Sequence, residues 1–181
     1  MNTRKVIYCF VLSFSCALIA SPSDAQAESD NASVTAQLND AKPLVAKIKK
    51  DAVQMESYGR NSGLSWQGHA VALEKIKADV NQLQQNMRGL QSHRTTASRW
   101  QQDAIDRIAG YTNDLATNMN AAIDRMNKSK QRPTAPPYPE YLKANTRIVS
   151  DLADEIDATI DYGENKTVAE SLGQQIDSST K

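Results

Sequence analysis

His69 is the residue whose type and position could most directly do chemistry. It falls on the apolar seam of a predicted helix, at the level predicted for Met55 and Met126 of the neighbouring helices. An imidazole that faces a thioether across a helical bundle could ligate haem iron or, with further sulfur ligands, copper. The alternative is a packed histidine beside methionines that fill gaps in the core. Because the chain has no Cys-x-x-Cys-His haem attachment, the sequence favours the packed histidine and predicts neither a cofactor nor a metal.

The sequence lacks the patterns of the common enzyme classes. Neither His69 nor His93 has a glutamate three residues before it, although a carboxylate-bridged di-iron site needs such pairs. A Gly-x-Ser-x-Gly elbow and phosphate-binding glycine loops are also absent. Asp154, Asp157 and Asp161 share one predicted helical face, but without a glycine-bearing calcium loop they favour a solvated surface over a cation site. We therefore predict no catalytic residues and a protein that is not an enzyme.

The first 27 residues have the pattern of a secretory signal peptide. Arg4 and Lys5 precede an apolar run from Val6 to Ala20, and the small residues of Ala25-Gln26-Ala27 suit cleavage before residue 28. The run is too short to span a bilayer comfortably, so we predict a periplasmic or secreted protein with no membrane span after cleavage. The alternatives are an anchor that is not removed and a lipoprotein acylated at Cys16.

Cleavage would remove both cysteines (Cys9 and Cys16) and both phenylalanines of the chain. The mature chain could then form no disulfide and no cysteine metal site. Of the twenty-one basic and twenty-one acidic residues, nineteen and twenty would remain, a balance that gives no electrostatic case for nucleic-acid binding. Residues 28–181 suit one domain, with a core of aliphatic residues, methionines, tryptophans and tyrosines that favours helices over sheets.

Apolar residues recur at steps of three and four in four long segments, which predicts four helices. The first begins at Val34, although Pro43 should kink it or delay its start to about Asp40, and residues 59–63 should form a turn. The second covers Trp66 to Leu90 and the third follows a possible N-cap at Ser98. The inward positions of the first three helices are Val34, Leu38, Ala41, Val45, Ile48, Ala52 and Met55; Leu73, Ile76, Val80, Leu83, Met87 and Leu90; Ile105, Ile108, Leu115, Met119, Ala122 and Met126.

A basic and proline-rich segment, residues 127–139, should connect the third helix to a fourth that Tyr162 and Gly163 terminate. A last short segment with Val168, Leu172 and Ile176 should dock on the bundle. The predicted architecture is therefore all-α, an up-down-up-down four-helix bundle with a short additional C-terminal helix.

Three stretches resemble a group of small exported helical proteins associated with acidobacteria. They are residues 64–70 (LSWQGHA), residues 97–108 (ASRWQQDAIDRI) and residues 161–163 (DYG), with single matches at Ile76-Lys77, Asn81 and Tyr141. The resemblance covers roughly residues 60–165 and implies export and a helical bundle, but no activity. Within it, Trp66, Trp100 and Arg107 are further candidate site residues, and packing or capping at the bundle ends is their alternative role.

Three functional hypotheses follow from these patterns. The leading one is an exported, non-enzymatic helical bundle that binds another protein or a component of the cell envelope through a helix face. The second is a haem or metal carrier that uses His69 with Met55 or Met126. The third is a self-associating coiled-coil protein, because helices with regular three-four seams can also pair between chains.

Overall fold

The computed structural model describes residues 29–60, 64–128 and 135–180. The predicted signal peptide and both cysteines lie outside these residues. The described part contains long helices and no strand, which confirms the all-helical class. None of its helices is both long and apolar enough to cross a membrane. The helices are α1 (Ala32–Arg60), α2 (Trp66–Ser92), α3 (Arg99–Lys128) and α4 (Tyr138–Ser179), and a single 3-10 turn (Arg94–Thr96) lies between α2 and α3.

Each helix packs against two others. Helix α1 contacts α2 and α4, and α3 also contacts α2 and α4. Two ion pairs link α1 to α2: Lys47 with Asp79 at 2.6 Å and Lys75 with Asp51 at 2.9 Å. The apolar seams predicted for the first three helices are buried in the common core, because an amphipathic helix is stable in water only when its apolar stripe is covered.

Helix α1 begins eight residues earlier than the later of the two predicted starts, because Asn31 caps it. The Asn31 side-chain oxygen accepts from the backbone N–H of Ser33 at 2.9 Å, and the Asn31 carbonyl accepts from that of Val34 at 3.0 Å. Pro43 lies inside the helix on its exposed side. Its missing N–H leaves the carbonyl of Asn39 without a helical donor, but both residues are exposed, so water can serve that carbonyl.

The predicted stop at Tyr162 and Gly163, and with it the separate C-terminal helix, is wrong. Helix α4 continues without a break for 42 residues, about 63 Å at 1.5 Å per residue. Glycine ends a helix by adopting a positive φ, and no described glycine does so. Gly163 instead allows a close approach, since a Cβ built on it would lie 3.1 Å from Cη2 of Trp100.

The docked C-terminal segment is also wrong, because every residue from Thr167 to Thr180 is exposed. The turn predicted at residues 59–63 is wrong for its first two residues, since Gly59 and Arg60 belong to α1. Residues 61–63 lie outside the described residues. A Cβ on Gly59 would lie 2.7 Å from Cδ1 of Leu142, so this glycine too permits close helix packing. The connector between α3 and α4 is shorter than the predicted residues 127–139, because Lys128 and Tyr138 are helical.

The two roles of glycine in these helices give a stability test with a matched control. No atom would lie within 4 Å of a Cβ on Gly110 in α3, so Gly110→Ala should raise the free energy of unfolding by about 0.5–1 kcal/mol. Gly163→Ala should gain less than this, or lose stability, because the Trp100 ring must move. Urea unfolding of both variants measures the difference. Equal gains would show that Trp100 does not need the glycine.

Candidate functional site

The structure separates the sequence-predicted candidates into two groups at opposite ends of the bundle. His69 lies near the start of α2, next to Tyr58 late in α1 and Tyr138 at the start of α4. Trp66 is the first residue of the same helix, which Ser65 caps by accepting from the N–H of Gly68 at 3.2 Å. Trp100 and Arg107 lie two turns apart on α3 and line one groove.

His69 is fully buried and has one polar partner, the hydroxyl of Tyr138 at 3.1 Å from Nδ1. The Tyr138 ring meets the imidazole edge-on, with centroids 5.6 Å apart, and the Tyr58 ring lies 6.5 Å away. Burial lowers the pKa of His69 and raises that of Tyr138, because a charge is poorly solvated there. The pair is therefore neutral at pH 7. Nε2 of His69 has no hydrogen-bond partner among the described residues.

The methionines predicted to face His69 are both buried. Met55 lines a small internal cavity together with Met119 and Asn145, and this cavity is too small to hold a water molecule. The sulfur with a polar contact is that of Met119, which lies 4.0 Å from Nδ2 of Asn145. No group of three or more histidine, cysteine or acidic residues that could hold a metal occurs in the part of the chain that the structure describes.

At the other end of the bundle, three elements meet at Asp30, just before α1. The indole N–H of Trp100 donates to one Asp30 oxygen at 2.6 Å, and the Lys166 ammonium of α4 lies 2.9 Å from the other. Burial by itself raises the pKa of Asp30, but hydrogen bonds from Ser98, Lys166 and Trp100 outweigh it and lower the pKa below its usual value. We call these three residues, Asp30, Trp100 and Lys166, the Asp30 latch.

Gln101 reinforces the latch. Its side chain is fully buried, accepts from the Asn31 N–H at 2.8 Å and donates to the Asn31 carbonyl at 3.1 Å. The side-chain oxygen of Gln101 also accepts from the backbone N–H of Ser98 at 3.2 Å. Ser98 and Gln101 thus have the spacing of a capping box. This part of the site could therefore be recognised from the local sequence. The sequence analysis predicted only the N-cap at Ser98. It could not predict the hydrogen bonds between Gln101 and Asn31, because these residues are 70 apart in the chain.

The groove beside the latch lies between α3 and α4 and has a volume of about 400 Å³. At one end Trp100 and Tyr162 form an edge-to-face aromatic pair, with centroids 5.0 Å apart. At the other end Nε of Arg107 donates to Glu155 at 2.7 Å. The remaining lining consists of Asp103, Ala104, Ala158 and Thr159. Aromatic rings next to charged groups in a concave surface suit binding.

We call Asp154, Asp157 and Asp161 of α4 the acidic row, and none of them lines this groove. Asp157 pairs with Lys42 of α1 at 2.8 Å, and Asp154 lies 3.7 Å from Lys49. These contacts place the row on the side of α4 that faces α1. Asp154 and Asp157 therefore form partly exposed ion pairs with lysines of α1. Such pairs add little stability. Glu155, which the expectation did not single out, is the acid that faces Arg107.

The burial of His69 should make the stability of the protein depend on pH. Because the folded state lowers the pKa of His69, the unfolded chain binds more protons once the pH falls below about 6.5. The free energy of unfolding should therefore fall as the pH drops from 7.5 to 5, by at most about 1.4 kcal/mol per pH unit from this residue. Urea unfolding at each pH should show a shallower dependence in His69→Phe.

Tyr138→Phe is the matched control for this dependence. It removes the hydroxyl partner and should lower stability by about 1–3 kcal/mol, but it leaves the imidazole buried. The dependence on pH should therefore remain. Its loss in Tyr138→Phe would show that the hydroxyl, and not burial, controls the charge of His69.

The chain matches no protein-family model, no curated protein and no solved structure. The resemblance to the acidobacterial group stays a prediction.

Proposed function

We propose that the protein is an exported, non-enzymatic component of the cell envelope, periplasmic or secreted, which binds a helix of another protein along the exposed side of α4. In this proposal the described helices form an up-down-up-down bundle that supports α4. The signal-peptide pattern of residues 1–27 supports export. The observation that carries the binding function is a largely apolar seam on α4 that no part of the described chain covers.

The exposed seam consists of Tyr162, Asn165, Ala169, Leu172 and Ile176. Successive members are three and four residues apart, the spacing with which one helix packs against another. All five are exposed, and Leu172 and Ile176 expose 53% and 67% of their surface. With about 100° of rotation per residue, the seam lies roughly opposite the core-facing residues of α4. It is therefore not the continuation of the bundle core.

The charge near the seam favours a basic partner over a second copy of this chain. Residues 161–180 carry four carboxylates and one lysine. That lysine, Lys166, is already held by Asp30 and Glu170. Two copies would bring like charges together, whereas a helix flanked by lysine or arginine would be attracted.

The test uses synthetic helical peptides. A peptide with leucine and isoleucine at three-four spacing and lysines beside them should bind the protein without residues 1–27, measured by calorimetry. Leu172→Asp should weaken this binding by about tenfold or more, because it places a charge in the apolar contact. Val71→Asp is the matched control: Val71 of α2 is 73% exposed and far from the seam in the chain, so its substitution should leave binding unchanged.

A peptide with glutamates in place of the lysines should bind more weakly than the basic one. Equal binding of the two peptides would contradict the charge argument, and failure of both would contradict the seam as a binding surface. Light scattering addresses the self-associating alternative. A dimer that is lost in Leu172→Asp would show that the seam pairs with a second copy instead.

A second candidate is the haem or metal carrier that uses His69 with Met55 or Met126. The observation in its favour is that Nε2 of His69 is buried and has no described hydrogen-bond partner, a costly arrangement for a polar group. The carrier hypothesis predicts a shifted absorption band when the mature protein is titrated with haem or copper, and the loss of this band in His69→Ala. An unchanged spectrum would contradict it.

A further inference from the structure

We propose that the groove between α3 and α4 binds a cationic side chain, lysine or arginine, of the polypeptide that occupies the exposed seam. This inference rests on the proposed function, because it names a feature of the same partner. The groove and the seam share Tyr162, which lines the groove and is also the first residue of the seam. A helix that lies along the seam toward the bundle would therefore place its next turn over the groove.

The charges that line the groove favour a cation. Asp103 and Glu155 contribute two carboxylates, and Arg107 contributes one guanidinium. Arg107 is held by Glu155 through a 2.7 Å hydrogen bond, so its charge is largely balanced where it lies. Lys166 does not change this balance, because Asp30 and Glu170 hold it outside the lining. Arg94 also lies near Asp103, but two hydrogen bonds hold its guanidinium on Asp106. The lining therefore keeps one net negative charge, which attracts a positive group.

The aromatic end of the groove suits the same group. Ammonium and guanidinium ions are attracted to the faces of aromatic rings, most strongly to tryptophan. The Trp100 N–H is already bound by Asp30, so Trp100 offers the groove its ring and not its hydrogen-bond donor. Tyr162 stands edge-on to that ring and is 53% exposed. A long basic side chain could lay its methylene stem along these rings and direct its charge toward Asp103.

The Asp30 latch holds this arrangement in place. It fixes the Trp100 ring from the side of α1, and Gly163 lets α4 approach the ring closely. A ring that is already ordered loses little conformational entropy when a ligand binds. The groove is therefore preformed in the free protein.

Trp100 itself can report on binding, because the chain has only two tryptophans. In Trp66→Phe the remaining fluorescence comes from the groove, and in Trp100→Phe it comes from the opposite end of the bundle. Titration with hexalysine, which carries no apolar seam, should change the Trp100 emission saturably and leave the Trp66 emission unchanged. Hexaglutamate should change neither. If Trp66→Phe fails to fold, the unaltered chain compared with Trp100→Phe gives the Trp100 signal by difference.

Asp103→Asn should weaken the hexalysine response about threefold to fivefold, the effect of losing one partly exposed charge pair. Asp124→Asn is the matched control, because it removes the same charge from an exposed position elsewhere on α3. Equal weakening by both variants would overturn the groove as a specific site, and so would a Trp100 emission that does not respond to hexalysine. Leu172→Asp should leave the hexalysine response intact. A failed groove and a failed seam are thus distinguished.

Discussion

The contact between Trp100 and Gly163 is the constraint on which the proposed binding surface depends. The glycine allows α4 to pass close to the indole, and the indole N–H is held by Asp30. Helix α4 continues past this contact to Ser179. The groove and the aromatic pair lie just before Gly163 on α4, and most of the exposed seam lies beyond it. A larger residue at position 163 would require the Trp100 ring to move at the aromatic end of the groove.

The polar groups at the two ends of the bundle differ in charge and in burial. At the end with His69, a neutral imidazole and a protonated tyrosine hydroxyl share one contact inside the core, which avoids a buried charge but leaves Nε2 without a described partner. At the other end, a carboxylate is kept ionised by donors from two helices. The first arrangement specifies core packing, whereas the second orders side chains at the surface, where a ligand can reach them.

A chain with equal numbers of acidic and basic residues can still present a charged surface. Three lysines of α1 pair with acids of α2 and α4, and Lys75 of α2 pairs with Asp51 of α1. These pairs balance charge along the sides of the bundle. Glu170 pairs with Lys166, and residues 167–180 contain two carboxylates and no basic residue. Most of the paired lysines lie at contacts between helices, so the end of α4 is acidic. Net charge therefore describes this protein less well than the position of each charge.

By itself, the sequence determined the helical class and the inward residues of the first three helices, because three-four periodicity is a local property of the chain. It also contained the capping signal of Ser98 and Gln101. It could not decide whether Gly163 ends a helix or packs against a ring, since the deciding partner, Trp100, is 63 residues away in the chain. The partner of His69 is equally distant, at 69 residues, and Lys166 lies 136 residues from Asp30. Only the tertiary structure brings such residues together, because a contact between distant segments depends on how whole helices pack and not on the residues beside it in the chain.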